Sequence, residues 1–143
     1  GRVVSLATHF SDDTKSCLII DFFHSIRAWD LRESNIRPIK TLCSSGVALS
    51  GAASLTSIPT GESPITALKM GTLSGNLYTA ASDAKVRIWD MRMFSCTGKL
   101  AGAHQAAIMC IATWDGPNNM DYVATGSKDH YLKVRERELK LFD

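Results

Sequence analysis

Two stretches of the chain share one seven-residue frame. Ile26-Arg27-Ala28-Trp29-Asp30-Leu31-Arg32 and Val86-Arg87-Ile88-Trp89-Asp90-Met91-Arg92 both read apolar, basic, apolar, Trp, Asp, apolar, Arg. A period-2 apolar pattern is that of a strand with two different faces. One that stops at Trp-Asp marks the third strand of a β-propeller blade. A single blade cannot bury both of its faces, so its neighbours must stack against it. The expected fold is therefore all-β, a partial propeller of about three blades.

The first blade spans about 3–43. It opens with Val3-Val4-Ser5-Leu6-Ala7, continues through Cys17-Leu18-Ile19-Ile20 and the Trp-Asp strand, and closes with a strand over 38–43 whose Pro38 suits an outer edge. Residues 44–64 are rich in Ser, Ala, Gly and Thr without a sustained period, and read as an enlarged loop. That loop accounts for the 60 positions between Trp29 and Trp89, against roughly 40–45 for this repeat. The second blade, 65–100, has Ile65-Thr66-Ala67-Leu68, Leu77-Tyr78-Thr79-Ala80-Ala81, a tight turn at Ser82-Asp83-Ala84-Lys85, the returning Val86 to Trp89, and Gly98-Lys99-Leu100.

The third blade, 107–143, carries Ile108-Met109-Cys110-Ile111-Ala112 and Tyr122-Val123-Ala124-Thr125-Gly126-Ser127, separated by the turn-forming Asp115-Gly116-Pro117-Asn118. Asp129 follows Asp83 at a spacing of 46, which puts Arg135 and Glu136 where Trp-Asp is expected. A Phe142-Asp143 pair comes seven positions late. Residues 134–140, mostly charged, thus read as an insertion in a third strand. Gly1 opens directly into a strand-like run, so the whole reads as a piece of something longer.

Net charge is only +2, too little to point to nucleic acid or a membrane surface. The four cysteines at 17, 43, 96 and 110 form no Cys-x-x-Cys pair, which argues against a zinc site and fits a reducing compartment. No apolar run reaches membrane-spanning length.

His104, Thr125 or Ser127, and Asp129 have the composition of a hydrolase triad. Propeller repeats use the same residue types structurally: a His before the inner strand, a hydroxyl in the second, an Asp in the turn and the third-strand Trp. The structural reading is favoured because the positions follow the repeat, and it makes Asp83, Trp89, His104, Thr125, Ser127 and Asp129 a hydrogen-bonded network. Phe23 stands at the Asp position of the first blade, which lacks the set. His24 and His130 fall in turns and His9 has no partners by spacing, so no metal ligand is assigned. Gly98-Lys99 and Gly126-Ser127-Lys128 do not match a phosphate-binding loop. No catalytic residue, metal or cofactor is expected, and the chain is not read as an enzyme. Arg27, Arg87 and Lys133 hold equivalent places, where the alternating pattern predicts exposed charge. Arg32, Lys85 and Arg92 are the candidate partner contacts.

Thr41-Leu42-Cys43-Ser44-Ser45-Gly46, Thr97-Gly98-Lys99-Leu100 and Gly126-Ser127-Lys128-Asp129-His130-Tyr131 resemble segments of the WD-repeat tail of kinesin-4 motors, in the kinesin family member 21 branch. The likeness covers most of residues 17–133 and includes the enlarged loop. It departs at 134–140 and at Ala103, which separates Gly102 from His104 where the family has Gly-His. The resemblance implies a seven-bladed propeller on a cytoplasmic, cytoskeletal motor, binding microtubules or motor cargo and packing against the remaining blades of the same ring. A generic scaffold or adaptor in a signalling or ubiquitin complex is the alternative.

Overall fold

Alternation of apolar and polar residues, bounded by turns, yields twelve antiparallel strands in the computed structural model, which describes residues 3–10, 15–21, 25–30, 40–50, 62–71, 74–100, 104–117 and 120–137. The first sheet runs in the order β1 (Val3–Phe10), β2 (Lys15–Asp21), β3 (Ser25–Asp30), β4 (Lys40–Cys43), β5 (Ala48–Ser50). The second is β6 (Ile65–Met70), β7 (Asn76–Ala81), β8 (Val86–Asp90), β9 (Ser95–Leu100). The third is β10 (Ile108–Asp115), β11 (Asp121–Ser127), β12 (Leu132–Arg137). Each sheet is a meander of neighbours in sequence, with no α-helix among the described residues, and each is one blade of a partial propeller.

The blades are joined by two apolar seams. Ile26, Ala28 and Leu42 of the first sheet pack with Ile65, Leu68, Leu77, Trp89 and Met91 of the second. Tyr78, Ala80, Val86, Ile88 and Leu100, largely from the opposite face of the second sheet, pack with Ile108, Ile111 and Val123 of the third. The alternation in β8 explains both seams: Val86 and Ile88 face one neighbour and Trp89 faces the other, so one short strand is buried on two sides. Trp89, Tyr78, Val86 and Ile88 are fully buried. Both inner strands β6 and β10 carry a register shift near their starts, between Ile65 and Ala67 and between Ile108 and Cys110. These bulges locally increase strand twist.

Two segments differ from the sequence expectation. Ala48–Ser50, inside the 44–64 segment, is a strand that pairs with β4, so β4 is not the outer edge of its sheet. A turn makes the hairpin: Gly46 takes φ +104, its amide donates to the Cys43 carbonyl at 2.9 Å, and the Cys43 amide donates to the Val47 carbonyl at 2.7 Å. A three-residue strand is too short for alternation to be readable. Residues 51–61 and Pro38 lie outside the described residues.

The other is β12. It stays paired with β11 without a break, from Gly126 opposite Leu132 to Asp121 opposite Arg137. Arg135 faces Val123 and Glu136 faces Tyr122, the positions that Trp89 and Asp90 take opposite Leu77 and Asn76. The start of the segment read as an insertion, 134–137, is thus ladder, because main-chain pairing does not depend on the charge of the side chains. Residues 138–143, with Phe142 and Asp143, lie outside the described residues.

Candidate interaction rim and the polar sets beneath it

His104 lies just before β10, Thr125 on β11 and Asp129 in the β11–β12 turn. Antiparallel pairing of β10 with β11 brings all three together. His104 Nδ1 lies 2.9 Å from Asp129 Oδ2, and Nε2 lies 2.7 Å from Thr125 Oγ1. An ionised Asp129 only accepts, so Nδ1 carries the proton and Nε2 accepts from the Thr125 hydroxyl. Asp129 also accepts from the Gln105 and Tyr131 amides, each at 3.0 Å. Partial desolvation works against its charge, but the two amides and His104 outweigh this and hold its carboxyl at about 2. Ser127 Oγ donates to the Ala106 and Ala107 carbonyls and accepts from the Asp129 amide. The turn is therefore stitched to the segment that enters β10. Ala103 does not prevent these contacts of His104.

Asp83 and Trp89 belong to a second set, in the second blade. Trp89 Nε1 donates to Thr79 Oγ1 at 3.1 Å, the counterpart of Thr125. Asp83 accepts from the Lys85 amide and pairs with the Arg87 guanidinium, Nη2 to Oδ2 at 2.9 Å. The six residues predicted as one network thus divide between two blades: Trp89 gives its one N–H to Thr79, and His104 spends both ring nitrogens on Asp129 and Thr125. Arg87, expected to be exposed, is only 6% exposed because it turns onto Asp83, where the third blade uses His104. Lys133 is exposed and Arg27 half-buried.

A third set has no local sequence signal. Asp121, at the start of β11, is buried and accepts from the Tyr78 hydroxyl and from Ser74 Oγ, both in the second blade. Gly71 makes room for it: a Cβ there would stand 2.6 Å from Asp121 Oδ2. Near the first blade, Glu62 accepts from Ser44 Oγ at 2.5 Å and from the Ser45 amide at 2.6 Å. Cys43 alongside is pushed up to about 11 by burial and then by the Glu62 charge, so its thiol is a poor nucleophile. Among the described residues no three His, Cys, Asp or Glu side chains converge as metal ligands.

The candidate contact residues do not form one patch. Lys85 precedes β8 and Arg92 follows it, so they stand at opposite ends of that strand. Arg92 is exposed, with Nε 3.8 Å from Asp90. Arg32 and His24 lie outside the described residues. The turns before β8 and β12 share one rim, and both hold a non-glycine residue in the left-handed region at the same place: Ala84 at φ 67 and His130 at φ 73.

Comparison with known proteins agrees with this architecture. The family model described as WD domain, G-beta repeat, matches residues 53–90 and 94–135. The human kinesin-like protein KIF21A is 40% identical over 115 residues, covering 76% of this chain and 7% of that protein. The mouse kinesin-like protein KIF21B is 40% identical over 116 residues, again covering 76% of this chain and 7% of its own length. Mitochondrial division protein 1 of Aspergillus oryzae is 39% identical over 70 residues, which cover 49% of this chain and 10% of that protein. The chain thus spans a small fraction of the curated relatives it matches. It is a protein-interaction region that belongs to the WD-repeat family, with repeats of the type found in the kinesin-like proteins KIF21A and KIF21B.

Proposed function

We propose that the chain is a non-catalytic platform on a cytoplasmic, kinesin-like protein of the cytoskeleton, and that it contacts microtubules or motor cargo. The partner class rests on the likeness to kinesin-like proteins over three-quarters of the chain. One observation carries the non-catalytic reading: the triad-like set is sealed. Thr125 and His104 are each 5% exposed, and both ring nitrogens of His104 face partners within the blade. A hydrolase nucleophile must instead be reachable by substrate.

The remaining blades of a propeller are further partners in this reading. Leu132 is 72% exposed and Val134 52%, whereas their counterparts Val86 and Ile88 are completely covered by the third blade. A further blade seated on β10–β12 would cover them in the same way. The platform reading is tested by co-sedimentation of the complete propeller with stabilised microtubules. The expected result is pelleting that weakens as salt rises, because contacts between exposed charges are screened. Absence of pelleting, with other proteins recovered by affinity purification, would favour a scaffold or adaptor of the generic WD-repeat kind.

A further inference from the structure

We propose that the rim formed by the β7–β8 and β11–β12 turns is a docking surface for acidic peptide segments, with Lys85, Lys128 and Lys133 supplying charge and Tyr131 the anchor. This rests on the platform reading and names its surface and the chemistry of its partner.

The charge argument starts with the acids. Each carboxylate whose side chain is described on this rim is hydrogen-bonded internally: Glu62 by Ser44 and Ser45, Asp83 by Arg87 and the Lys85 amide, Asp129 by His104 and two amides. The cations are not held in the same way. Lys128 and Lys133 are exposed, and Lys85 is half-exposed. Arg87 is withdrawn into its own pair. Asp83 is balanced by Arg87, whereas Glu62 and Asp129 keep their charge but direct it at inward donors, so Lys85, Lys128 and Lys133 stand outermost on this rim. The opposite rim differs, since Arg92 lies near Asp90 and Asp115 is exposed there.

Shape supports the same surface. Tyr131 is 65% exposed, directly after the left-handed His130, and Lys133 Nζ lies 5.9 Å from its ring centroid. Exposed Tyr beside a cation is the composition of an interface anchor. The turns are also braced. The Lys128 amide donates to the Ala107 carbonyl at 3.0 Å, and the Ser82 amide donates to the Pro64 carbonyl at 2.9 Å. A rim held by such bonds loses little freedom when a partner docks.

The test is fluorescence anisotropy of a labelled polyglutamate peptide titrated with the full chain, in parallel with microtubule co-sedimentation. The variants are Lys85→Glu/Lys128→Glu/Lys133→Glu, Tyr131→Ala and Arg92→Glu, each checked by thermal melting, with the single Lys128→Glu replacing the triple variant if that one melts early. The proposal expects about a tenfold loss of peptide affinity in the triple variant, a clear loss in Tyr131→Ala at unchanged melting temperature, and no change in Arg92→Glu. Peptide binding that is lost in the triple variant while the parent chain fails to pellet with microtubules supports the rim and sinks the microtubule reading. Undiminished binding of both peptide and microtubules by the triple variant, or an equal loss in Arg92→Glu, overturns the rim and leaves the platform reading standing.

Discussion

At the scale of single residues, the polar side chains of the repeat act in pairs whose loss has a defined sign. Arg87 is buried against Asp83, so Asp83→Ala strands a guanidinium. The expected cost is about 1–3 kcal/mol, read as a lower midpoint in urea unfolding, and Arg87→Leu in the Asp83→Ala background should recover part of it. Asp129 behaves differently because its carboxyl is held at about 2, below the ordinary 3.8. A folded-state value depressed in this way contributes stability above the unfolded value and loses it as pH falls through the folded one. Stability should therefore drop between about pH 4 and pH 2, and Asp129→Asn should flatten that part of the profile measured by denaturant titration. The hydrogen-bonding residue types of this set were legible from spacing, since Thr79 and Thr125, and Asp83 and Asp129, recur at 46 positions. The burial of Arg87 was not, because an arginine alternating with apolar residues reads as exposed until its partner four positions earlier is placed beside it.

At the scale of elements, strands with strict alternation were legible and short or cross-blade features were not. β6, β7 and β8 begin and end within a residue or two of their apolar runs. β5 escaped because three residues carry no period, and Glu62, which ties its turn to the entry of the second blade, lies 17 positions beyond Ser45. Asp121 escaped for a related reason: its partner Tyr78 lies 43 positions away on another sheet. That bond gives an element-scale prediction. Asp121→Leu should weaken the seam between the second and third blades, since two hydroxyls lose a common acceptor. Hydrogen exchange of β10 and β11 should quicken more than that of β3 and β4; equal quickening everywhere would assign Asp121 no special part in that seam. For β12, deleting 134–137 should destabilise the third blade, because it removes the pairings of Val134, Arg135, Glu136 and Arg137 to β11. A raised melting temperature would restore the reading of those residues as an insertion.

At the scale of the whole molecule, the chain is a row of sheets whose cores lie between them rather than within them. Each seam needs a face from two neighbours, which is why repeats of this kind stack. The polar sets of Glu62, Asp83 and Asp129 brace the turns at one rim, and in doing so hold their carboxylates inward while the lysines stay outermost. Structure and surface charge are thus linked by the same hydrogen bonds. The most direct measurement is hydrogen exchange of the complete propeller with and without microtubules, resolved to the turns. The account predicts slowed exchange at 82–85 and 128–133, with 91–94 and 115–117 unchanged. Slowed exchange confined to 91–94 and 115–117, or no protection at either rim, would contradict it.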